Sequence, residues 1–198
     1  MIKRSFDLLA SLIGLVVLSP VMAVIAVIVR RDSAGPALFR QERVGRHGRL
    51  FTLLKFRTMT ESKDAHGPLI TSAGDSRVTK VGHVLRSTKL DELPQLINVV
   101  KGDMSLVGPR PEVPRYVDLW PEEERRVILS VRPGITDPVT VGLRREEQML
   151  AEQPDPERFY REELLPQKAR RYREYVETRN NVIDLAVIAR TLREVVGR

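Results

Sequence analysis

Two adjacent carboxylates, Asp91 and Glu92, are the side chains whose types and spacing best suit chemistry. Pro94 has no backbone N–H to donate and fits the first turn of a helix, which places both acids at or just before a helix N-terminus. The free N–H groups and the positive end of the helix dipole stabilise anions there. Two acids ringed by bases suit a divalent cation and phosphate groups together, although such a pair also serves as a simple helix cap. The surrounding bases are Arg86, Lys89, Lys101 and Arg110.

The segments on either side of this pair predict two short helices that would hold it. Residues 78–86 lead into the pair with apolar residues at helical spacing. The same spacing after the pair predicts the buried face of a second helix, formed by Leu93, Leu96, Ile97 and Val100.

A loop from Gly102 to Pro111 is predicted to present an arginine. Pro109 and Pro111 fix the backbone on either side of Arg110. Rigid display of a guanidinium suits bidentate recognition of phosphate. Residues 131–138 form a second loop of the same character.

A β-hairpin is the simplest interpretation of residues 37–57. Residues 37–40 and 50–57 have strand character, and residues 41–49 supply a loop between them. Alternation places Lys55 and Arg57 on one strand face. These two cations are expected either to reach a phosphate or the acidic pair, or to be ordinary solvated charges.

The composition points to polyanionic partners. The chain of 198 residues carries 33 Lys+Arg against 26 Asp+Glu, a formal net charge of +7. Nucleic acid, an anionic membrane surface or phosphorylated substrates all suit that balance, but an aromatic content of 5% disfavours nucleic acid. The absence of cysteine excludes disulfides and thiolate chemistry, and the three scattered histidines disfavour a zinc or iron site.

An uncharged run from Leu8 to Val29 is predicted to enter a membrane. As an α-helix it would be roughly 33 Å long, which matches a bilayer core. A signal peptide is disfavoured because the run is too long and is followed by Arg30 and Arg31.

The charges around this run favour a re-entrant helix over a spanning one. Lys3–Arg4 precede the run and Arg30–Arg31 follow it, whereas a spanning helix carries its positive charge mainly on one side. At mid-run Pro20 deletes a helical hydrogen bond, and Ser19 can satisfy the freed carbonyl. We expect a hairpin at Ser19–Pro20 that dips into the cytoplasmic leaflet; a single-pass anchor with a proline kink is the alternative.

The tail from Tyr172 to Val196 is predicted to form one helix or two, with a basic amphipathic character. Such a helix packs on its own domain, on lipid headgroups, or on both.

The motifs together resemble the monotopic phosphoglycosyl transferases, within the bacterial sugar transferase family. In order and spacing they cover residues 1 to about 145, and the chain resembles the small members that consist of the catalytic core. The motifs are Lys3-Arg4 with Phe6-Asp7, Ser19-Pro20, Gln41-Glu42-Arg43-Val44-Gly45, Lys55-Phe56-Arg57-Thr58-Met59, Leu90-Asp91-Glu92-Leu93-Pro94-Gln95, Asn98-Val99, Lys101-Gly102-Asp103-Met104-Ser105, Val107-Gly108-Pro109-Arg110-Pro111 and Arg132-Pro133-Gly134-Ile135-Thr136.

This resemblance implies transfer of a phosphosugar from a UDP-sugar to undecaprenyl phosphate with release of UMP. It also implies a re-entrant membrane helix at the cytoplasmic face of a bacterial inner membrane. By the same resemblance Asp91 is the nucleophile that forms an aspartyl phosphosugar, and Glu92 helps to hold Mg²⁺. The implied phosphate contacts are Lys55, Arg86, Arg110 and Arg144.

The expected fold is α+β and predominantly helical, with a small β-hairpin. Residues 1–31 would form the re-entrant membrane helix and residues 32–198 a compact cytosolic catalytic domain with an amphipathic C-terminal helix. The long tail would allow a homodimer. The alternative function is that of a non-catalytic basic membrane-surface protein that binds anionic lipid or nucleic acid.

Overall fold

Short helices and two small sheets make up the fold. The computed structural model describes residues 2–60, 71, 74–137, 139 and 146–196, apart from the side chains of 192 and 194–196. In chain order the elements are α1 Ile2–Asp32, β1 Leu38–Val44, β2 Leu50–Phe56, α2 Lys80–Thr88, α3 Gln95–Lys101, β3 Ser105–Val107, α4 Pro114–Val117, α5 Glu122–Ile128, β4 Gly134–Thr136, α6 Glu146–Ala151, α7 Pro156–Phe159, α8 Leu165–Thr178 and α9 Asn181–Val196.

The predicted β-hairpin is confirmed, with a longer first strand. β1 and β2 pair antiparallel from Leu38 opposite Phe56 to Val44 opposite Leu50. Residues 41–44 therefore belong to the strand and not to the predicted loop. A short 3₁₀ turn, Arg46–Gly48, makes the connection.

A second sheet, absent from the sequence predictions, joins the two proline-containing loops. β3 and β4 pair in parallel, with Ser105 opposite Gly134 and Val107 opposite Thr136. The strands approach so closely at Gly108 and Gly134 that a Cβ on Gly134 would lie 2.1 Å from the Gly108 nitrogen. Only glycine fits there, so the pairing depends on these two positions.

The core has three apolar clusters, of which the largest lies among the helices of the second half. It packs α4, α5, α6 and α8 against Val44 of the hairpin and contains Tyr116, Trp120, Tyr160 and Tyr172. A second cluster joins α1 to β2 and α2 through Val29, Phe56 and Leu85, among others. A smaller one joins β2 to α3.

Both ends of α1 are fixed to the same domain. Near its start, the Arg4 guanidinium donates to the carbonyl oxygen of Val99 at 2.8 Å, and the Ser105 hydroxyl donates to Asp7 Oδ2 at 2.7 Å. Near its end, Arg57 Nη2 donates to the carbonyl oxygens of Ser33 at 2.7 Å and Val29 at 3.3 Å. Arg57 thus satisfies the C-terminal end of α1, where a cation also meets the negative end of the helix dipole.

The Ser19 hydroxyl repairs the hydrogen bond that Pro20 removes. Pro20 would otherwise bond the carbonyl four residues earlier, and Ser19 Oγ donates to that same carbonyl oxygen, of Val16, at 2.8 Å. The predicted role of Ser19 is confirmed. α1 runs through Pro20 as one helix, so the hairpin predicted at Ser19–Pro20 is not observed. The serine explains how the helix continues.

The outer face of α1 is predominantly apolar from Phe6 to Ile28. Among the described residues, α1 is the one helix that is long and apolar enough to cross a bilayer, judged by length and composition. Its inner stripe is buried at Asp7, Ser11, Ile25 and Val29. The exposed residues include Leu9, Leu12, Ile13, Val16, Val17, Val21, Val24 and Val27.

Candidate active site

The acidic pair lies in a 3₁₀ turn, Leu90–Glu92, that connects α2 to α3. Lys89 ends α2 in the left-handed conformation, with φ of 61°, and this turns the chain into the pair. Pro94 stands at the N-cap position of α3, as its missing N–H predicts. Both Asp91 and Glu92 are buried.

Two cations from distant parts of the chain converge on one oxygen of Glu92. Lys55 Nζ donates to Glu92 Oε1 at 2.9 Å, and Arg110 Nη2 donates to the same atom at 2.6 Å. Glu92 Oε2 has no hydrogen-bond partner among the described residues. One oxygen of this carboxylate is therefore bonded by two cations, and the other is available to bind a ligand.

The two cations keep Glu92 ionised although it is buried. Burial by itself would raise the pKa of Glu92, but Arg110 and Lys55 outweigh it and hold that pKa well below its usual range. Glu92 in turn raises the pKa of Arg110, so the guanidinium stays charged. Burial lowers the pKa of Lys55, and the Glu92 charge opposes that shift.

Asp91 differs from its neighbour because its buried Oδ1 has no hydrogen-bond partner among the described residues. Burial raises the pKa of Asp91, with Glu92 adding to the rise and Lys55 opposing it. A desolvated carboxylate without a partner is a better nucleophile than a solvated one, and an orphaned buried oxygen is uncommon enough to need an explanation.

Arg110 is held in place by the second sheet. The Gly108 N–H donates to the carbonyl of Thr136 at 3.1 Å, and the Gly134 N–H donates to the carbonyl of Pro109 at 2.9 Å. These bonds fix the backbone immediately before Arg110. The rigid display that the prolines predict is thus reinforced by β4.

Asn98 joins the hairpin to the helix that follows the acidic pair, a role that the motif Asn98-Val99 did not reveal in the sequence. Asn98 Oδ1 accepts from the Leu54 N–H at 3.1 Å, and Asn98 Nδ2 donates to the Thr52 carbonyl at 2.8 Å. These contacts satisfy the edge of β2 beside Lys55. The available signal in the sequence was an amide side chain among the apolar residues of α3.

Arg57 and Arg86, two further predicted cations, have partners other than the acidic pair. Arg57 bonds the end of α1 and does not reach the acidic pair, and because it is buried the alternative of a solvated charge is wrong for it. Arg86 pairs with the exposed Glu147 and contacts the Met59 sulfur at 3.7 Å. Arg144 lies outside the described residues.

The whole chain, residues 1–198, matches the family described as "Bacterial sugar transferase". The chain belongs to that family. The resemblance read from the motifs is thereby confirmed.

Relatives of this bacterial sugar transferase are named as undecaprenyl-phosphate sugar phosphotransferases. It is 46% identical over 137 residues to the UDP-N-acetylgalactosamine-undecaprenyl-phosphate N-acetylgalactosaminephosphotransferase of Aeromonas hydrophila, covering 68% of this chain and 32% of the relative. The chain is 41% identical over 144 residues to the putative undecaprenyl-phosphate N-acetylgalactosaminyl 1-phosphate transferase of Bacillus subtilis, covering 73% of this chain and 76% of the relative. The chain is 38% identical over 197 residues to the UDP-glucose:undecaprenyl-phosphate glucose-1-phosphate transferase of Caulobacter vibrioides, covering 96% of this chain and 68% of the relative. The chain thus spans about a third of the Aeromonas relative.

The acidic pair fits the Mg²⁺ that the resemblance to phosphoglycosyl transferases implies. Mg²⁺ binds oxygen ligands and is commonly held by one or two carboxylates together with substrate phosphates and water. Glu92 Oε2 and Asp91 Oδ1 are two such oxygens with no protein partner among the described residues. No group of three or more acidic, histidine or cysteine side chains that could hold a metal by itself occurs in that part of the chain.

Proposed function

We propose that this bacterial sugar transferase moves a sugar 1-phosphate from a UDP-sugar to undecaprenyl phosphate and releases UMP. The names of its relatives support the acceptor and the reaction class. The observation that carries the proposal is the buried, unpartnered Asp91 Oδ1 beside a Glu92 that is clamped by Lys55 and Arg110.

Asp91 is the proposed nucleophile. A carboxylate oxygen of Asp91 forms a bond to the β-phosphorus, while the bond from that phosphorus to the oxygen bridging the two phosphates breaks. UMP leaves with the electron pair, and the protein carries the sugar phosphate as an acyl phosphate. An oxygen of undecaprenyl phosphate then bonds to the same phosphorus, and the phosphorus–Asp91 bond breaks. One displacement is thus divided into two, which is the general advantage of covalent catalysis.

The cations around Glu92 would bind the negative charge of the diphosphate. Arg110 and Lys55 stand beside the acidic pair, where phosphoryl transfer needs positive charge to position the substrate and stabilise its transition state. Glu92 Oε2 would hold Mg²⁺, which would supply further neutralisation of phosphate charge when bound. Arg86 and Arg144 are proposed as additional phosphate contacts.

The position of α1 supports a membrane arrangement in which the helix enters the cytoplasmic leaflet without crossing it. A helix that crosses a bilayer has its ends about 30 Å apart on opposite sides. Here Arg4 and Arg57 fix both ends to one domain, and the apolar outer face runs between them. A cysteine at Ile2, which is exposed, should be labelled only from the cytoplasmic side of sealed vesicles; labelling from outside would contradict the arrangement.

A UMP-release screen tests the reaction itself. The purified protein is mixed with undecaprenyl phosphate, Mg²⁺ and, in turn, UDP-N-acetylgalactosamine, UDP-glucose and UDP-galactose. We expect release with one of these donors and none with Asp91→Asn. Asp118→Asn, at a side chain that is 75% exposed, is the matched control and should keep the wild-type rate. Wild-type turnover by Asp91→Asn would overturn the proposal.

A further inference from the structure

A buried group of charged side chains holds the residue that follows the Arg110 loop. The Tyr160 hydroxyl donates to Glu112 Oε1 at 2.7 Å, and Lys168 Nζ lies 3.7 Å from that oxygen. Lys168 also donates to Glu146 at 3.1 Å and to the Tyr160 hydroxyl at 3.3 Å. Arg43 Nη1 lies 3.6 Å from Glu112 Oε2. We call these five residues the Glu112 network.

The network acts on the backbone of the loop as well as on one side chain. The Val44 N–H donates to the Glu112 carbonyl at 3.0 Å. Arg43 Nη1 donates to the Pro111 carbonyl at 3.2 Å. Pro111, whose ring fixes φ, is the single residue between Glu112 and Arg110, so holding Glu112 restricts the backbone that carries Arg110. β4 fixes the residues before Arg110, and the network fixes those after it.

The helix that carries Lys168 is shaped to point it at this loop. An α-helix turns 100° per residue, so residues eight apart point in directions that differ by about 80°. A π-helical turn, Tyr160–Leu164, takes up an extra residue before α8 and brings Tyr160 and Lys168 to the same side. π-helical turns of this kind are frequent at functional sites.

Stability alone is a poor explanation for the network. Lys168 is 3% exposed and Glu112 6%, so two charges have been removed from water. The desolvation of such pairs commonly cancels their attraction, and apolar side chains of similar size often serve stability as well or better. The five residues, with two bases against two acids, carry no net charge, so they add no charge to the loop and act on its geometry.

We propose that Lys168 is a positioning residue for Arg110, holding Glu112 so that the guanidinium stays on Glu92 and on the donor diphosphate. This inference rests on the proposed function for its kinetic consequences. Its structural consequence, a loosened Arg110 loop, is independent of the reaction.

A double-mutant cycle tests the proposal. In lipid nanodiscs we expect Lys168→Met to raise the KM for the UDP-sugar and to lower kcat/KM about tenfold or more. Lys168→Arg should keep most of the wild-type kcat/KM. In an Arg110→Ala background the same Lys168→Met change should alter kcat/KM less than about twofold, because its target is gone. Losses that multiply in the double variant would overturn the proposal.

Matched variants separate positioning from general destabilisation. Arg173→Met breaks ion pairs on the same helix, at a side chain 31% exposed, and should leave KM unchanged. Tyr160→Phe removes only a hydroxyl of the Glu112 network and should also raise the KM for the UDP-sugar. It serves as the test if Lys168→Met does not fold. An unchanged KM in folded Tyr160→Phe, or an equal rise in Arg173→Met, would overturn the proposal.

Hydrogen exchange gives a result that does not depend on activity. The amide of Val44, which donates to the Glu112 carbonyl, should exchange faster in Lys168→Met and not in Arg173→Met. Faster exchange with no UMP release from the wild type would refute the proposed function and leave the positioning role standing. Unchanged exchange in an active protein would refute the positioning role alone.

Discussion

Arg110 donates to Glu92 Oε1 at 2.6 Å, and Lys55 donates to that same oxygen from strand β2. One carboxylate oxygen therefore joins the β-hairpin, the 3₁₀ turn and the proline-containing loop. Glu92 is better described as the centre of a charge cluster than as a helix cap.

Replacing Glu92 by glutamine should disrupt this cluster. A neutral amide removes the carboxylate that Lys55 and Arg110 both bond, and removal of one partner from a buried ion pair is strongly destabilising. We expect UMP release by Glu92→Gln to fall more than about tenfold and its melting temperature to fall as well. Glu177→Gln, at an exposed partner of Arg173, is the control and should change neither. A Glu92→Gln protein with wild-type turnover would contradict the cluster's role.

Asp91→Asn should stabilise the folded protein. Burial raises the pKa of Asp91, so the folded state binds a proton more tightly than the unfolded chain. The free energy of unfolding of the wild type therefore falls as pH rises from the ordinary Asp pKa, about 3.9, through the raised value. The amide avoids that loss, so its advantage should be near zero at low pH and about 1–3 kcal/mol at neutral pH.

Denaturation of Asp91→Asn and wild type at several pH values measures this advantage. An amide variant that is less stable than the wild type at neutral pH would show that the carboxylate has a partner after all. The expected gain in stability with loss of activity is typical of a functional site.

Ser19→Ala should weaken α1 within the bilayer. The change leaves the Val16 carbonyl without its partner, at a cost of about 1 kcal/mol in lipid. In a Pro20→Ala background the cost should vanish, because residue 20 then supplies the N–H. Ser11→Ala is the matched control, since the buried Ser11 hydroxyl has no partner among the described residues.

Thermal unfolding in nanodiscs measures the four serine and proline variants together. An equal loss from Ser19→Ala with and without Pro20 would show that the hydroxyl does not compensate for the proline.

Arg57→Met should loosen the contact between α1 and the hairpin. Arg57 bonds two carbonyls at the end of α1, and hydrogen bonds to a charged group contribute about 1.5–3 kcal/mol. Unfolding in detergent should require less denaturant for Arg57→Met than for Arg40→Met, a control on the exposed face of β1. Equal midpoints would contradict the capping role.

Local patterns were enough to predict the β-hairpin, the helices around the acidic pair and the length and apolar surface of α1. The sequence also predicted that Ser19 serves the carbonyl freed by Pro20, because both effects act within one helical turn. Alternation likewise placed Lys55 and Arg57 on one face of β2. It could not show that the two side chains diverge, since Arg57 follows the last strand residue and turns to the end of α1.

Long-range pairing was beyond the sequence. β3 and β4 have three residues each, and their parallel pairing depends on a close approach of two glycines far apart in the chain. Lys168 lies beyond the motifs, which end near residue 145, yet folding buries it against Glu112 and Glu146. Its burial follows from the π-helical turn, for which no sequence signal was available.

The most direct test of the account is mass spectrometry of the protein mixed with its UDP-sugar and Mg²⁺ but no undecaprenyl phosphate. We predict an adduct with the mass of one sugar phosphate on Asp91, lost on addition of the lipid acceptor and absent from Asp91→Asn. An adduct on another side chain, or full transfer activity with no adduct at all, would contradict the central claim.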